Sequence, residues 1–366
     1  MFKRSIGLAA LILAASPAPA QESADPPIAS AARAEVVRTL GEQLREVYVF
    51  PEIAETTAAE LQHKADSGAY REYTTSRSFA DALRTDLREA GNDRHLQVRY
   101  DPSFTPMPQG DDGDHGHDPA EMEQMHREMA ENGYGIYRTA QLPGNVGYLD
   151  VRFFGPTEFV ASAFESALHL LEGSRAIIVD LRSNGGGDPD SVAQLASHFF
   201  AKGDERHLNS IYNRPENTTR DFWTVRSVET RFTGPVYVLT SDYTFSGGEE
   251  FAYDMQTQKR ATLVGETTGG GANPGGPVGL GHGFYAFIPT GRAINPVTGT
   301  NWEHVGVRPE HAVPAGDALA TAYGMALREA AASAKDEGER KRLEDLAGSD
   351  MSEITELPRW KHPRGK

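Results

Sequence analysis

Cysteine is absent from all 366 residues. Its absence excludes a disulfide framework, a thiolate metal site and a cysteine nucleophile. Long apolar runs are missing too. Beyond the first twenty residues no window reaches the ~18 consecutive apolar residues that a membrane helix needs, so no membrane insertion of the mature chain is expected. Positive charge is the third shortage: 36 lysines and arginines stand against 52 aspartates and glutamates, for a formal charge of −16. Such a chain repels phosphate backbones, and nucleic acid is not an expected partner.

Residues 1–20 form a separate unit. Lys3 and Arg4 precede an apolar run from Ile6 to Ala15, and Pro17, Ala18, Pro19 and Ala20 close it with small residues. That is the layout of a secretory signal peptide cleaved after Ala20. A run this short cannot cross a bilayer of ~30 Å. With no cysteine after the cleavage point, there is nowhere to attach a lipid. A periplasmic or secreted protein is expected.

The remaining chain is long enough for two or three lobes. Residues 31–92 read as a helical N-terminal subdomain. Val36, Val37, Leu40, Leu44 and Val47 make one apolar face, and Pro51 stops that helix. A second helix covers about Glu55 to Ala65, and a third starts at Ser78 with a Ser78/Asp81 capping box. Residues 93–145 hold a strand from His95 to Tyr100, with His95 on its polar face, and then an acidic, histidine-rich loop. The loop at 101–133 is long enough to be a lid, and Met122, Met125 and Met129 are spaced to line one helix face.

From 146 to 313 strands and helices alternate, which argues a largely parallel sheet covered by helices. Val146–Phe153, Ala176–Leu181, Val236–Thr240 and Ala261–Gly265 are the strands. Thr290-Gly291 reads as a hairpin turn between Phe284–Pro289 and Arg292–Asn295. Residues 314–349 read as charged helices, and 350–366 as a tail with a basic, frayed end.

Two segments carry chemistry. In TSDYTFSGGEEFAYDMQ, residues 240–256, a buried strand ends and Ser246 stands where a helix begins. A serine there is presented at the carboxyl edge of the sheet, and the first amides of the helix point at any oxyanion beside it. An N-cap serine would occupy the same position. In AIIVDLRSNGGGDPDSV, residues 176–192, three glycines follow a buried strand and leave amides in a concave turn. No GxxxxGK[ST] pattern is present and the nearby charges are Asp188 and Asp190, so an oxyanion hole fits better than a phosphate loop. A glycine turn chosen for packing is the plain alternative. No lysine occurs in GETTGGGANPGG, residues 265–276, which leaves histidine as the base; His95 is the candidate, although an exposed strand histidine would look the same.

Five ordered segments, GNVGYLDVRFF, AIIVDLRSNGGG, TFSGGEEFAYDMQ, VGETTGGGANPGG and NWEHVGVRPEHAV, resemble the tail-specific (C-terminal-processing) serine peptidases. The likeness covers residues 31–315 and is nearest to the branch of the interphotoreceptor retinoid-binding protein and the tricorn core. It implies an α/β core of the ClpP/crotonase-like type with a mostly parallel sheet, preceded by a small N-terminal helical subdomain. The 50 residues between His95 and Val146 are too few for a PDZ domain, which this family often carries there.

The resemblance further implies Ser246 as nucleophile, with oxyanion amides from Gly247 and from Gly185 or Gly186. In bacterial processing enzymes a lysine in G-K-G is the base, but the matching position here is Gly271. The tricorn-like branch uses histidine and glutamate instead, which correspond to His95 and to Glu303 in Trp302–Pro309. The expected activity is hydrolysis of a peptide or protein substrate by a Ser/His/Glu triad, with no cofactor and no metal. The retinoid-binding relatives keep a second reading open, a hydrophobic-ligand binder on the same fold. A weaker third reading is a divalent-cation site at Asp114, His115, His117 and Asp118.

Overall fold

The computed structural model describes residues 25–104, 119–349 and 358–365. The signal-like segment and the Asp114–Asp118 cluster lie outside the described residues.

Three helices open the chain: α1 (Ser30–Val47), α2 (Pro51–Ser67) and α3 (Ser76–Gly91). The apolar face of α1 is fully inside, with Val36, Val37, Leu40, Leu44 and Val47 all buried. Each such side chain removed from water contributes about 1.5–3 kcal/mol. Pro51 does not merely stop α1. It is the first residue of α2, where its missing N–H costs nothing and its fixed φ is already helical. Helix α3 begins two residues earlier than the expected capping box, because Asp25 reaches in from outside the helix. Its carboxylate accepts the Arg77 and Ser78 amides at 2.8 and 3.3 Å.

The following strand β1 (Gln97–Tyr100) pairs antiparallel with β10 (Phe284–Pro289), which also pairs with β9 (Gly275–Gly281). Leu96, Val98, Val278, Leu280, Phe284 and Ile288 share one core with the three helices. The N-terminal lobe is therefore stitched to a segment almost 190 positions later, through pairs such as Val98 with Ala286.

The central sheet has six strands in the order β12 (His311–Ala312), β8 (Thr262–Gly265), β7 (Val236–Thr240), β4 (Ala176–Asp180), β3 (Val146–Val151), β2 (Ile136–Leu142). Only β2 runs antiparallel to its neighbour. This is the mostly parallel α/β core that the sequence implied. Its inner strands are buried on both faces, as parallel strands are. Ile177, Val179, Val236, Val238 and Leu263 face α5 (Thr157–Leu171), α6 (Pro189–Ser197) and α7 (Gly247–Thr257). Ile178, Tyr237, Leu239 and Val264 face the other way, onto α8 (Ala315–Ser333) and α9 (Glu337–Ala347). Helix α8 is thus not a charged surface helix: Ala318, Ala322, Ala326 and Ala330 form its buried stripe, small enough to lie close on the sheet.

A second difference concerns the expected hairpin. Strand β11 (Gly291–Ile294) does not pair with β10 but joins β5 (His207–Asn213), which pairs in turn with β6 (Thr218–Trp223). Both edges of β10 are already taken, and the Thr290 and Gly291 amides donate to Pro274 O at 3.0 and 2.9 Å. The tight hairpin here is β9–β10, turned by His282 and Gly283 with φ of 54° and 79°, the left-handed pair that a type I′ turn requires.

Helix α4 (Pro119–Glu131) uses Met122, Met125 and Met129 to pack against the α5–α7 core. Residues 358–365 are docked rather than frayed: Trp360 Nε1 donates to Ser183 Oγ at 3.0 Å, and His362 Nε2 lies 2.6 Å from Asp242 Oδ1.

Candidate active site

Strands β4 and β7 are parallel neighbours, so the loops leaving their carboxyl ends emerge side by side, where open α/β sheets place their ligands. These two loops carry the two motifs singled out in the sequence. They are bolted together: Thr244 Oγ1 donates to Leu181 O at 2.8 Å, Ser241 Oγ to Arg182 O at 2.6 Å, and the Phe245 amide to Asn184 O at 3.1 Å.

Ser246 heads α7 with φ 52° and ψ −122°. An ordinary N-cap residue is extended, whereas this region is sparsely populated and costs about 1–3 kcal/mol for a residue with a side chain. Four contacts hold it there. The Ser246 amide donates to Glu249 Oε2 at 2.9 Å, the Phe245 amide to Asn184 O, the Gly248 amide to Phe245 O at 3.0 Å and the Glu250 amide to Ser246 O at 2.9 Å. A strained serine at a strand-to-helix turn is the geometry of a nucleophile elbow.

Glu249 is the hub behind it. Its buried carboxyl also accepts Thr268 Oγ1 at 2.5 Å and the Gly270 and Gly271 amides at 2.6 and 2.8 Å. Burial pushes this carboxyl up to about 7, and its four donors pull the other way. One side chain therefore ties the elbow to the glycine loop 268–271.

Gly186, with φ 103°, packs directly on Ser246: a Cβ there would stand 2.7 Å from Ser246 Cβ and 3.0 Å from Gly247 N. Its own amide is not free, because it donates to Asn184 Oδ1 at 2.8 Å, and the Gly185 amide donates to Arg152 O at 3.2 Å. The Gly187 amide remains. It lies 3.1 Å from the position of a Cβ on Gly247, and among the described residues neither the Gly187 nor the Gly247 amide has a recorded partner. Of the glycine turn, then, Gly187 rather than Gly185 or Gly186 has an amide to offer beside Ser246.

His95 precedes β1 in a turn instead of lying on the strand's polar face, and it is 8 % exposed. Its backbone amide donates to Asp93 Oδ1 at 2.8 Å, and Arg88 from α3 holds the Leu96 and Arg94 carbonyls at 2.9 and 2.6 Å. The imidazole is covered by Phe245, at 4.5 Å between ring centroids, and by Phe287 at 6.2 Å. Burial lowers its pKa to about 4, against the pull of Asp93 and with help from Arg88 and Arg94. Neither ring nitrogen has a hydrogen-bond partner among the described residues.

Gly271 lies directly against the imidazole. A Cβ at this position would meet Phe245 Cζ at 2.3 Å and His95 Cε1 at 2.6 Å. The space that a side chain from residue 271 would enter is filled by the imidazole and its aromatic cover.

Glu303 lies one layer behind. Trp302 Nε1 donates to Gly271 O at 2.7 Å, and Glu303 Oε2 accepts the Ala272 amide at 2.5 Å. Its Oε1 is buried with no hydrogen-bond partner among the described residues and lies 3.6 Å from His304 Nδ1. Burial, and then the charge of Asp93, push this carboxyl up to about 8. The carboxylate recorded nearest His95 is Asp93, 3.8 Å from Nδ1. Asp93, Asn184 and Glu249 are positioning residues that the sequence did not single out. A carboxylate two residues before a histidine, at the end of a helix, was the available signal for the first.

Ser246, His95, Gly185, Gly187, Gly247, Gly271 and Trp302 line one cavity of about 790 Å³. Arg84, Arg88, Arg94 and, from the docked tail, Arg364 line it as well, whereas none of residues 119–131 does. A second hollow along β5 and β6 shares Pro189, Ile211, Pro274 and Gly275 with it, so the two form one groove.

Residues 145–313 match peptidase family S41, and residues 29–132 match the N-terminal domain of Peptidase_S41 in eukaryotic IRBP. The chloroplastic carboxyl-terminal-processing peptidase 2 of Arabidopsis thaliana is 28% identical over 191 residues, 48% of this chain and 35% of that protein. The tricorn protease of Thermoplasma volcanium is 32% identical over 132 residues, 35% of this chain and 11% of its own length. The match thus spans about a third or less of either relative. A structure assigned as a peptidase from Parabacteroides merdae shares the fold with a TM-score of 0.58 at 17% identity, covering 83% of this chain and 99% of that one.

Proposed function

The chain belongs to peptidase family S41, and on that premise we propose that it is a serine-type peptidase acting on polypeptides, with C-terminal processing as its class of reaction. The observation that carries this reading is the strained Ser246, held in one cavity with a buried histidine whose ring nitrogens are both unpartnered. A free serine hydroxyl is a weak nucleophile and needs a base beside it. His95 is uncharged at neutral pH because burial disfavours its cation, so it has a lone pair to offer.

In the proposed reaction Ser246 Oγ attacks the substrate carbonyl as a ring nitrogen of His95 takes its proton. The carbonyl oxygen becomes the oxyanion held by the Gly187 and Gly247 amides, where the positive end of α7 adds to the field. His95 then passes the proton to the leaving amine, and water releases the acyl group by the same steps in reverse order. Glu303 is the proposed acid that stabilises the imidazolium, following triad logic, and Asp93 fixes the turn that carries His95. The groove along β5 and β6 gives room for an extended substrate. The layout of residues 1–20 supports export, to the periplasm or the medium.

The test is labelling by a fluorophosphonate probe together with peptide cleavage. Both are expected in the parent and neither in Ser246→Ala, while His95→Ala loses most of both with its melting temperature nearly unchanged. Equal labelling of Ser246→Ala would refute the assignment. A parent that neither labels nor cuts would return the fold to the reading of a hydrophobic-ligand binder.

A further inference from the structure

Glu250 follows Ser246 by four positions, in the first turn of α7, and both residues line the one cavity. It is only 5 % exposed. Its Oε1 accepts Asn209 Nδ2 at 3.0 Å, while Oε2 has no recorded partner among the described residues. No lysine or arginine among them pairs with it. A buried carboxyl without a cation is costly, and burial, with Asp188 and Asp190 adding in the same direction, pushes it up to about 8. Pro189, Ile211, Ala293 and Trp302 are among the apolar residues of the same cavity lining.

We propose that Glu250 is the specificity-determining residue of the subsite beside the oxyanion amides, and that this subsite takes a long cationic side chain, lysine or arginine, on the residue preceding the scissile bond. The inference rests on the serine-peptidase reading. An aliphatic stem fits the apolar walls, and a cationic head meets the unpartnered oxygen at the end, the usual way a lysine or arginine divides its surface. The cavity also carries Arg84, Arg88 and Arg94, of which Arg88 and Arg94 act on His95 and help to lower its pKa. A cation is repelled there and favoured at Glu250, so the charge pattern also fixes the direction in which a substrate lies.

The experiment compares kcat/KM of the full chain on peptides that differ only at the residue before the cleaved bond, with lysine, arginine, glutamine or leucine there. Parent and Glu250→Gln are measured side by side, since glutamine keeps an acceptor for Asn209. The parent is expected to prefer lysine and arginine, and the lysine-to-leucine ratio should fall about tenfold or more in the variant, the size of effect that an unpaired buried polar group brings to specificity. A parent that prefers leucine would overturn the subsite. So would a variant that slows both peptides equally, because that is what a purely structural Glu250 would do. If the probe does not label and no peptide is cut, the peptidase reading falls and takes the subsite with it; labelling and cleavage without the preference sink the subsite alone.

Discussion

Replacing Glu249 by glutamine tests whether the elbow is held as the structure implies. Its two carboxyl oxygens take four donors: Thr268 Oγ1 and the Gly270 amide on one, the Gly271 and Ser246 amides on the other. A glutamine offers one oxygen and one NH2 group. Turned one way, its NH2 opposes the Gly271 and Ser246 amides. Turned the other way it opposes Gly270, while Thr268 can accept from it and still hold the Val307 amide. At best one buried amide is left without an acceptor, at a cost of about 1–3 kcal/mol, offset in part because a neutral amide is easier to bury than a carboxylate. The expected melting temperature is a few degrees lower. The catalytic loss should be larger, since a displacement of 1 Å at a reacting group costs on the order of 10²-fold and the tie from Glu249 to Gly270, which fixes the glycine loop against the elbow, is broken. Thermal unfolding and the rate of fluorophosphonate labelling are the two measurements. A variant that melts lower but labels at the parent's rate would refute the argument, because the elbow would then be held by something other than that tie.

The other buried titratable groups each carry an outcome of their own. Glu303→Gln leaves the Ala272 amide an acceptor, so kcat should fall with little change in stability, whereas Asp93→Asn should lower both, because His95 N, Tyr48 Oη and Asn273 Nδ2 all donate to Asp93; an unchanged kcat in Glu303→Gln would move the orienting role to Asp93. The folded-state pKa of His95 is lowered to about 4 from 6.5, so the unfolded chain binds the extra proton and stability falls as pH drops through that window. Glu250 is raised to about 8 from 4.5, so stability falls as pH rises between those values; unfolding measured at both ends should show a flatter alkaline loss in Glu250→Gln, and an identical slope would show that Glu250 is not protonated in the fold.

The sheet was legible because buried parallel strands such as AIIVD are unbroken apolar runs, and the elbow because a serine separates VYVLT from a helix. What failed were relations set by distant partners. Strand β9 reads GGPVGLG, with too few side chains to show a period, so the hairpin was sought at Thr290-Gly291 instead of at His282-Gly283. The β5–β6 hairpin left no expectation at all. His95 alternates with Leu96 as a surface residue would, yet Phe245 and Phe287, far along the chain, bury its ring. Nothing local could reveal that, nor that the Gly186 amide would be spent on Asn184. Glu250 carries no local signal of its own, and only the fold brings it into the cavity lining.

The contact between Gly271 and the imidazole has an evolutionary side. A lysine base projecting from position 271 and a histidine base projecting from position 95 claim the same volume, since even the first carbon of the former would stand 2.6 Å from the ring of the latter. The two ways of activating this serine are therefore exclusive alternatives. Lysine gained before the histidine and phenylalanine rings retreat wedges the site apart; histidine lost before lysine arrives leaves the serine without a base. A lineage crossing from one chemistry to the other passes through an inactive protein, or changes several residues at once, and such a valley can keep the two branches apart even where the surrounding fold is shared.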